Sequence, residues 1–318
     1  MTLSELARLA NVSVSVASKA FSGKGDVSES MKNHVFETAK KYGCFHQFYN
    51  VPYDHRVVAL IIPEAISEYY IKFVEEIKSR LEKRNCTMLL SISNFDPQME
   101  EELIRYYSEH GKVDALIVIN GWCDFPISND IVFVKLCGEC ENANVIVRSQ
   151  KNSAIDECLN ALIARGHDRI AFIGEPLTIC KGKLVAERMK ILGLEPKEEY
   201  FFTSELRFEK AGEDGVKYLL SLQKAPTAII GAYGYITSGI LGEVSKHGLS
   251  IPEDISVVSL DPYPMPNAYG YEAAGIGYDI EKFCDIAVNE LCRRFEASQS
   301  LPSIRIISDD IFYPGNTV

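Results

Sequence analysis

The chain has 318 residues, of which 47% are hydrophobic and 24% charged, with a net charge of −11. At roughly 100–200 residues per domain this length implies two or three globular units, and the ordinary globular composition argues against a wholly disordered chain; apolar runs such as Val57 to Ile62 are far short of the ~18 residues needed to span a bilayer, which excludes a helical membrane protein. The charge is unevenly placed: residues 1–56 hold seven Lys/Arg against five Asp/Glu, and the remainder 26 against 39, so a mildly basic head precedes an acidic body and the overall balance does not exclude a nucleic-acid partner.

Thr2-Leu3-Ser4-Glu5 is a capping box. Leu3, Leu6, Ala7 and Ala10 follow at one-face helical spacing. Asn11 suits a left-handed helix end. Ser13 is an N-cap for a second short helix whose Val16, Ala17 and Ala20 face inward. Ser22 to Asp26 forms a loop. Ser28 caps a third helix carried by Met31, Val35, Ala39 and Tyr42, and Gly43 can end it. Two short helices joined by a tight turn, then a loop and a supporting helix, make a helix-turn-helix. The outer side of the second helix carries Val14, Ser15, Ser18 and Lys19, mostly short side chains that suit close approach to base edges in a groove about 12 Å wide. Spacing alone leaves a different small three-helix bundle open.

The run LSELARLANVSVSVASKAFSGKGDVSESMKNHVFETAKKYG (residues 3–43) resembles the DNA-binding head of the lac repressor (LacI/GalR) family without a gap. The resemblance implies that Val14, Ser15 and Lys19 read bases. It also implies that Ser13, Val16, Ser18, Ser22 and Ser28 contact base edges or phosphates. Arginine is usual at the position of Lys19; lysine lacks the planar fork that pairs with guanine, so weaker discrimination is expected there. After the third helix the family has a hinge helix bearing Ala-Arg-x-Leu, whose leucine wedges into the minor groove. Here Cys44 to Arg56 lacks that string and contains Pro52, which disfavours a continuous helix. Phe48, Tyr49 or Val51 is a substitute wedge or part of a packed linker, the packed linker being preferred; Arg56, His46 and His55 are in reach of phosphates.

From Val57 onward short apolar strands alternate with amphipathic helices, the pattern of parallel sheets covered on both faces. ARGHDRIAFIGEP and HGLSIPEDISVVSLD (beginning at Ala164 and His247) match segments of the same family. The body therefore looks like its effector core, a two-lobed periplasmic-binding-protein fold built from two doubly wound parallel sheets. The expected division is 1–45 for the all-α helix-turn-helix head and 46–56 for an atypical linker. The first lobe takes 57–150 and 279–301, and the second 151–278 and 302–318, with crossings near 150, 278 and 302.

Ligands of such sheets bind outside the carboxyl ends of the strands. That rule picks Glu64, Trp122, Glu175, Tyr233 and Asp261, although aromatics there often only close a cleft. By resemblance Asp261 is the family's cleft aspartate, and Lys183 stands for its effector-binding arginine. Tyr233-Gly234 and Ser149-Gln150-Lys151 depart from the usual segments, so a sugar effector, another metabolite, or no ligand at all is compatible with the cleft.

There is no GxxxxGK[ST], GxSxG or HExxH string. Cys137 and Cys140 form a lone CxxC, which reads as buried or incidental thiols. His167 reads as a structural hydrogen-bonder, and Glu100 to Leu103 as a solvated helix face. Nine scattered cysteines and no recognisable secretory signal in MTLSELARLA fit a reducing cytoplasm. The expectation is a cytoplasmic transcription regulator, a repressor, that binds double-stranded operator DNA as a homodimer under control of a small molecule. No catalytic residue, metal or cofactor is expected. A DNA-binding protein whose core is only a ligand-independent dimerisation body is the alternative.

Overall fold

The computed structural model describes the chain except for residues 24, 50–52, 112, 122–126, 128–129 and 262–268. It comprises two compact units, Met1–Arg56 and Val57–Val318.

The head contains α1 (Leu3–Leu9), α2 (Val14–Ser22), α3 (Glu29–Lys41) and a one-turn α4 (Phe45–Phe48). Its boundaries follow from local chemistry. The Thr2 hydroxyl accepts from the Glu5 amide at 3.2 Å, and the Thr2 amide donates back to Glu5 at 2.7 Å, which closes the capping box. Ser13 accepts from Val16 N at 3.2 Å and Ser28 from Met31 N at 3.3 Å. Asn11 ends the first helix at φ 52° and Gly43 the third at φ 67°. Leu6, Ala7, Ala10, Ala17, Ala20, Phe21, Val35 and Ala39 are buried together. Met31 and Tyr42, expected to support the third helix, are exposed.

Residues 45–49 belong to the head rather than to a separate linker. Phe45 and Phe48 lie against Phe21 at ring-centroid distances of 6.0 and 5.7 Å, and Tyr49 against Phe36 at 5.6 Å. The physical cause is apolar: a nine-residue core of mostly small side chains gains a second aromatic layer. Val51 and Pro52 lie outside the described residues.

The second unit has two lobes. The first holds β1 (Arg56–Ile62), α5 (Glu68–Glu82), β2 (Cys86–Ile92), α6 (Pro97–Glu109), β3 (Ala115–Ile119), β4 (Val132–Leu136) and β5 (Val145–Gln150). The second holds α7 (Asn152–Ala164), β6 (Ile170–Gly174), α8 (Ile179–Ile191), β7 (Phe201–Thr203), α9 (Glu209–Ser221), β8 (Ala228–Gly231), α10 (Gly234–Lys246), β9 (Ser256–Leu260) and β10 (Ala274–Gly277). Then α11 (Ile280–Glu296) and β11 (Ile304–Asp309) return to the first lobe, and β12 (Ile311–Tyr313) to the second. Strand orders are β11-β5-β4-β3-β1-β2 and β12-β10-β9-β8-β6-β7. The β1–β3, β3–β4, β4–β5, β5–β11, β6–β7, β6–β8, β8–β9 and β9–β10 pairings are parallel, and β10 with β12 is antiparallel. β1, β3, β6, β8 and β9 are almost wholly buried, as sheets covered on both faces require.

Two crossings fall where expected, at Lys151 and Tyr278. The third lies at Asp310, not near 302. β11 pairs in register with β5 from Ile304–Val145 to Asp309–Gln150, so this edge strand completes the first sheet before the chain crosses. In the second lobe α9 and α10 meet through Gly212 and Gly239. A Cβ on either would overlap the other helix's backbone, so close approach fixes both as glycine.

Candidate functional site

The outer side of α2 is built as expected. Val14 is 46% exposed, and Ser13, Ser15, Ser18, Lys19, Ser22 and Ser28 are exposed as well. Val16 is only half-buried, turned towards the side where Ala17 and Ala20 pack. The Lys19 stem lies along the loop at Gly25, where a Cβ would stand 3.3 Å from its Cδ. A short, capped helix thus offers small polar side chains and one ammonium group on an open face, the shape required for groove entry.

The second candidate site is a cavity of about 710 Å³ between the lobes of the core. The carboxyl-end rule holds for its walls. Glu64 follows β1, Asn120 β3, Cys137 β4, Lys151 β5, Glu175 β6, Tyr233 β8, Asp261 β9 and Tyr278 β10. Several of these ends are strained: Asn120, Cys137 and Asp261 have φ of 56°, 57° and 53°, the kind of local cost that clusters at ligand sites.

Asp261 is the ionic centre of the hinge end. Lys151 Nζ donates to its Oδ1 at 2.6 Å, and Lys181 Nζ donates to Oδ2. Burial alone would raise the Asp261 carboxyl, but the two ammonium groups outweigh it and hold it well below the usual carboxylate range. Lys151 also donates to Asp310 Oδ2 at 2.6 Å and stands 5.5 Å from the Tyr278 ring centroid. One ammonium therefore ties all three crossings to the cleft aspartate.

At the other end Arg207, from the loop after β7, spans the lobes. Its Nη1 donates to Glu64 of the first lobe at 2.9 Å, and its Nε donates to both Glu175 oxygens at 3.3 Å. The guanidinium carbon lies 4.6 Å from the Phe208 centroid and 5.5 Å from that of Phe95. Tyr235 of the second lobe accepts from the Glu68 amide of the first at 3.3 Å. Burial, then the Glu175 charge, push the Tyr233 hydroxyl well above its ordinary value.

Glu64, Glu175, Tyr233 and Asp261 are thus brought together. Trp122 lies outside the described residues. Lys183 is exposed and does not line the cavity; Lys181 does. Gly182 between them packs on Phe172, which sets the helix register and turns Lys181 inward. Strand-end logic also reaches Lys151, which the sequence marks only as a departure from the usual family segment, whereas Asp310 emerges only from the pairing of β11 with β5. Arg207 follows a three-residue strand too short to announce itself.

Burial pushes the Cys137 thiol up to about 11, so it stays protonated at neutral pH and is no nucleophile. The eight described cysteines carry no disulfide, and among the described residues no group of three or more His, Cys, Asp and Glu could hold a metal. His167 bridges the Thr227 and Ser256 hydroxyls at 2.9 and 3.0 Å, a structural role. Glu100 is not solvated: it is 2% exposed and 4.0 Å from fully buried Lys135. No described helix is long and apolar enough to cross a membrane.

Comparison with known proteins agrees with this architecture. The periplasmic binding protein-like domain matches residues 159–309. The HTH-type transcriptional repressor CytR of Escherichia coli strain K12 is 22% identical, over 89% of this chain and 82% of that one. The solved transcriptional regulator CelR–cellobiose complex superposes with a TM-score of 0.68 at 20% identity, covering 100% of both chains. A LacI family regulator from Silicibacter pomeroyi superposes with a TM-score of 0.72 at 19% identity, over 100% of this chain and 99% of that one. With the head motif, the two-lobed core and relatives that align over most of its length, the chain is similar throughout to transcriptional regulators of the LacI/GalR family.

Proposed function

We propose that this regulator represses transcription by binding a two-fold symmetric operator in the cytoplasm as a homodimer, and that a small molecule in the interlobe cleft changes its operator affinity. Val14, Ser15 and Lys19 read base edges. Ser13, Ser18, Ser22 and Ser28 position the helix on phosphates or neighbouring edges, with Val16 contributing at most its partly exposed side. The observation that carries the reading is the α2 surface: its outward positions are exposed while its inward ones form the head core. Paired heads would read half-sites one helical turn apart, ~34–36 Å. The cleft residues Glu64, Glu175, Tyr233 and Asp261, joined by Lys181, Lys151 and Arg207, form the effector site. Cellobiose in the CelR complex supports a small polar metabolite as the class of ligand. Effector coupling to the head would be worth about 1–3 kcal/mol. The chain is not an enzyme on this reading.

Selection of random duplexes by the purified chain, with and without a metabolite pool, tests this. Enrichment of one symmetric sequence, altered by the pool, is the expected result. Failure to enrich any sequence would remove the DNA-reading role.

A second reading has an observation of its own. Arg207 already bridges Glu64 and Glu175 across the cleft, so the core could serve as a dimerisation body closed without ligand. A thermal-shift screen separates the two, because a ligand that binds only the folded state raises the melting temperature.

A further inference from the structure

Resting on the cleft as the effector site, we infer that its ligand is an organic cation, whose ammonium or guanidinium group binds between Glu64 and Glu175. The charges on the cavity wall fall into three groups. At the hinge, Lys151 and Lys181 face Asp261 on the wall and the fully buried Asp310 behind it, two positive against two negative. Arg148 pairs with Glu139. At the lobe-spanning end, two carboxylates share one guanidinium. The uncompensated negative charge therefore sits at Glu64 and Glu175, which are 6% and 2% exposed. Sequence adds no remedy: residues 122–126 and 262–268, which follow β3 and β9, contain no lysine or arginine.

Arg207 shows what this end accommodates. Its guanidinium is held by one carboxylate from each lobe and faces an aromatic ring from each lobe, Phe95 and Phe208. Carboxylates supply charge and ring faces supply the quadrupole that favours a cation over a neutral group. A neutral ligand that drew Arg207 away would leave two buried carboxylates without a counter-ion, and an anion would add to the excess; both are opposed by the cost of uncompensated buried charge. A cation can sit beside Arg207 and neutralise the second carboxylate, or replace it. Either way it joins the lobes through the same two glutamates. The tyrosines around it, Tyr233 and Tyr235 on one lobe and Tyr70 on the other, give ring faces and hydroxyls for the rest of an amine-bearing metabolite.

Calorimetric titration of the full chain with matched pairs tests the assignment: glucosamine against glucose, and putrescine against 1,4-butanediol. At least tenfold tighter binding of the amine in one pair is expected, with that preference lost in Glu175→Gln and in Glu64→Gln. Equal or tighter binding of the neutral partner overturns it, as does no amine binding at millimolar concentration. Should both variants fail to fold, the paired titration of the wild-type chain still decides. Arg207→Ala adds a control with methylguanidinium. Cation binding seen only in that variant would mean the box serves self-closure alone, and the ligand assignment falls. A neutral metabolite that changes operator affinity would sink the cation while leaving the regulatory reading intact. Absence of operator binding would sink that reading whatever the amines do.

Discussion

Lys151 Nζ and Asp310 Oδ2 stand 2.6 Å apart and join the first chain crossing of the core to the third. The same ammonium reaches Asp261 in the cleft wall. Any group that competes for Asp261 therefore acts directly on the hinge, which gives cleft occupancy a physical route to the lobe arrangement.

Replacing that ammonium should be costly. Lys151→Met leaves Asp310, whose side chain is fully buried, with no counter-charge among the described residues. Removing one member of a buried pair typically costs about 3–5 kcal/mol. The urea midpoint of the core is expected to fall accordingly, and an unchanged midpoint at unchanged slope would show that Lys151 does not hold the crossings together.

Lys19→Ala should weaken operator binding by about 1–3 kcal/mol if the lysine reads a base, with the melting temperature unchanged because Lys19 is exposed. Lys19→Arg should sharpen discrimination at one base pair, since the guanidinium fork matches guanine and the ammonium does not. Anisotropy titrations on operator variants check both; identical isotherms for Lys19→Ala and wild type would remove the residue from the contact set.

Phe48→Ala separates packing from wedging. Phe48 lies 5.7 Å from Phe21 and is half-buried, so its truncation should cost the head about 2 kcal/mol. Hydrogen exchange of α1 to α3 amides in the free protein should accelerate. Normal protection combined with a selective loss of DNA affinity would instead make Phe48 a wedge.

Acid should weaken the core in two stages. Burial, with Arg165 and Arg169 adding, holds His167 below its ordinary 6.5. The unfolded chain therefore takes up this proton first, and its contribution, complete above about pH 6.5, is lost as pH falls towards the lower folded value. Asp261 is also depressed; its contribution is present above about pH 4 and lost below that. Urea denaturation across pH 7.5 to 3 should show a shallow decline and then a steep one. In His167→Gln the shallow part should flatten, and an unaltered profile would contradict the assignment.

The head was legible because its signals are local. Thr2, Ser13, Ser28, Asn11 and Gly43 each act within four residues, and all five sit where their chemistry demands. The strand ends of the core were legible for the same reason, since a short apolar run names the residue that follows it. What escaped depends on distant partners. Nothing local marks Asp310 as a crossing; the sequence places it near 302, and only pairing of Ile304–Asp309 with β5 and of Ile311–Tyr313 with β10 moves it there. Lys181 and Lys183 differ by two positions on one helix, and the packing of Gly182 on Phe172 decides between them. The aromatic layer of Phe45 and Phe48 needed the faces of Phe21 and Phe36 in three dimensions.

The most direct test compares the intact chain on its best selected duplex with a scrambled duplex of the same composition, by anisotropy at moderate salt. Family-type operator recognition is expected to give a specificity ratio of at least ~10³, reduced by Lys19→Ala. A ratio near one would contradict the account, because an exposed α2 face that discriminates no sequence is not a reading surface.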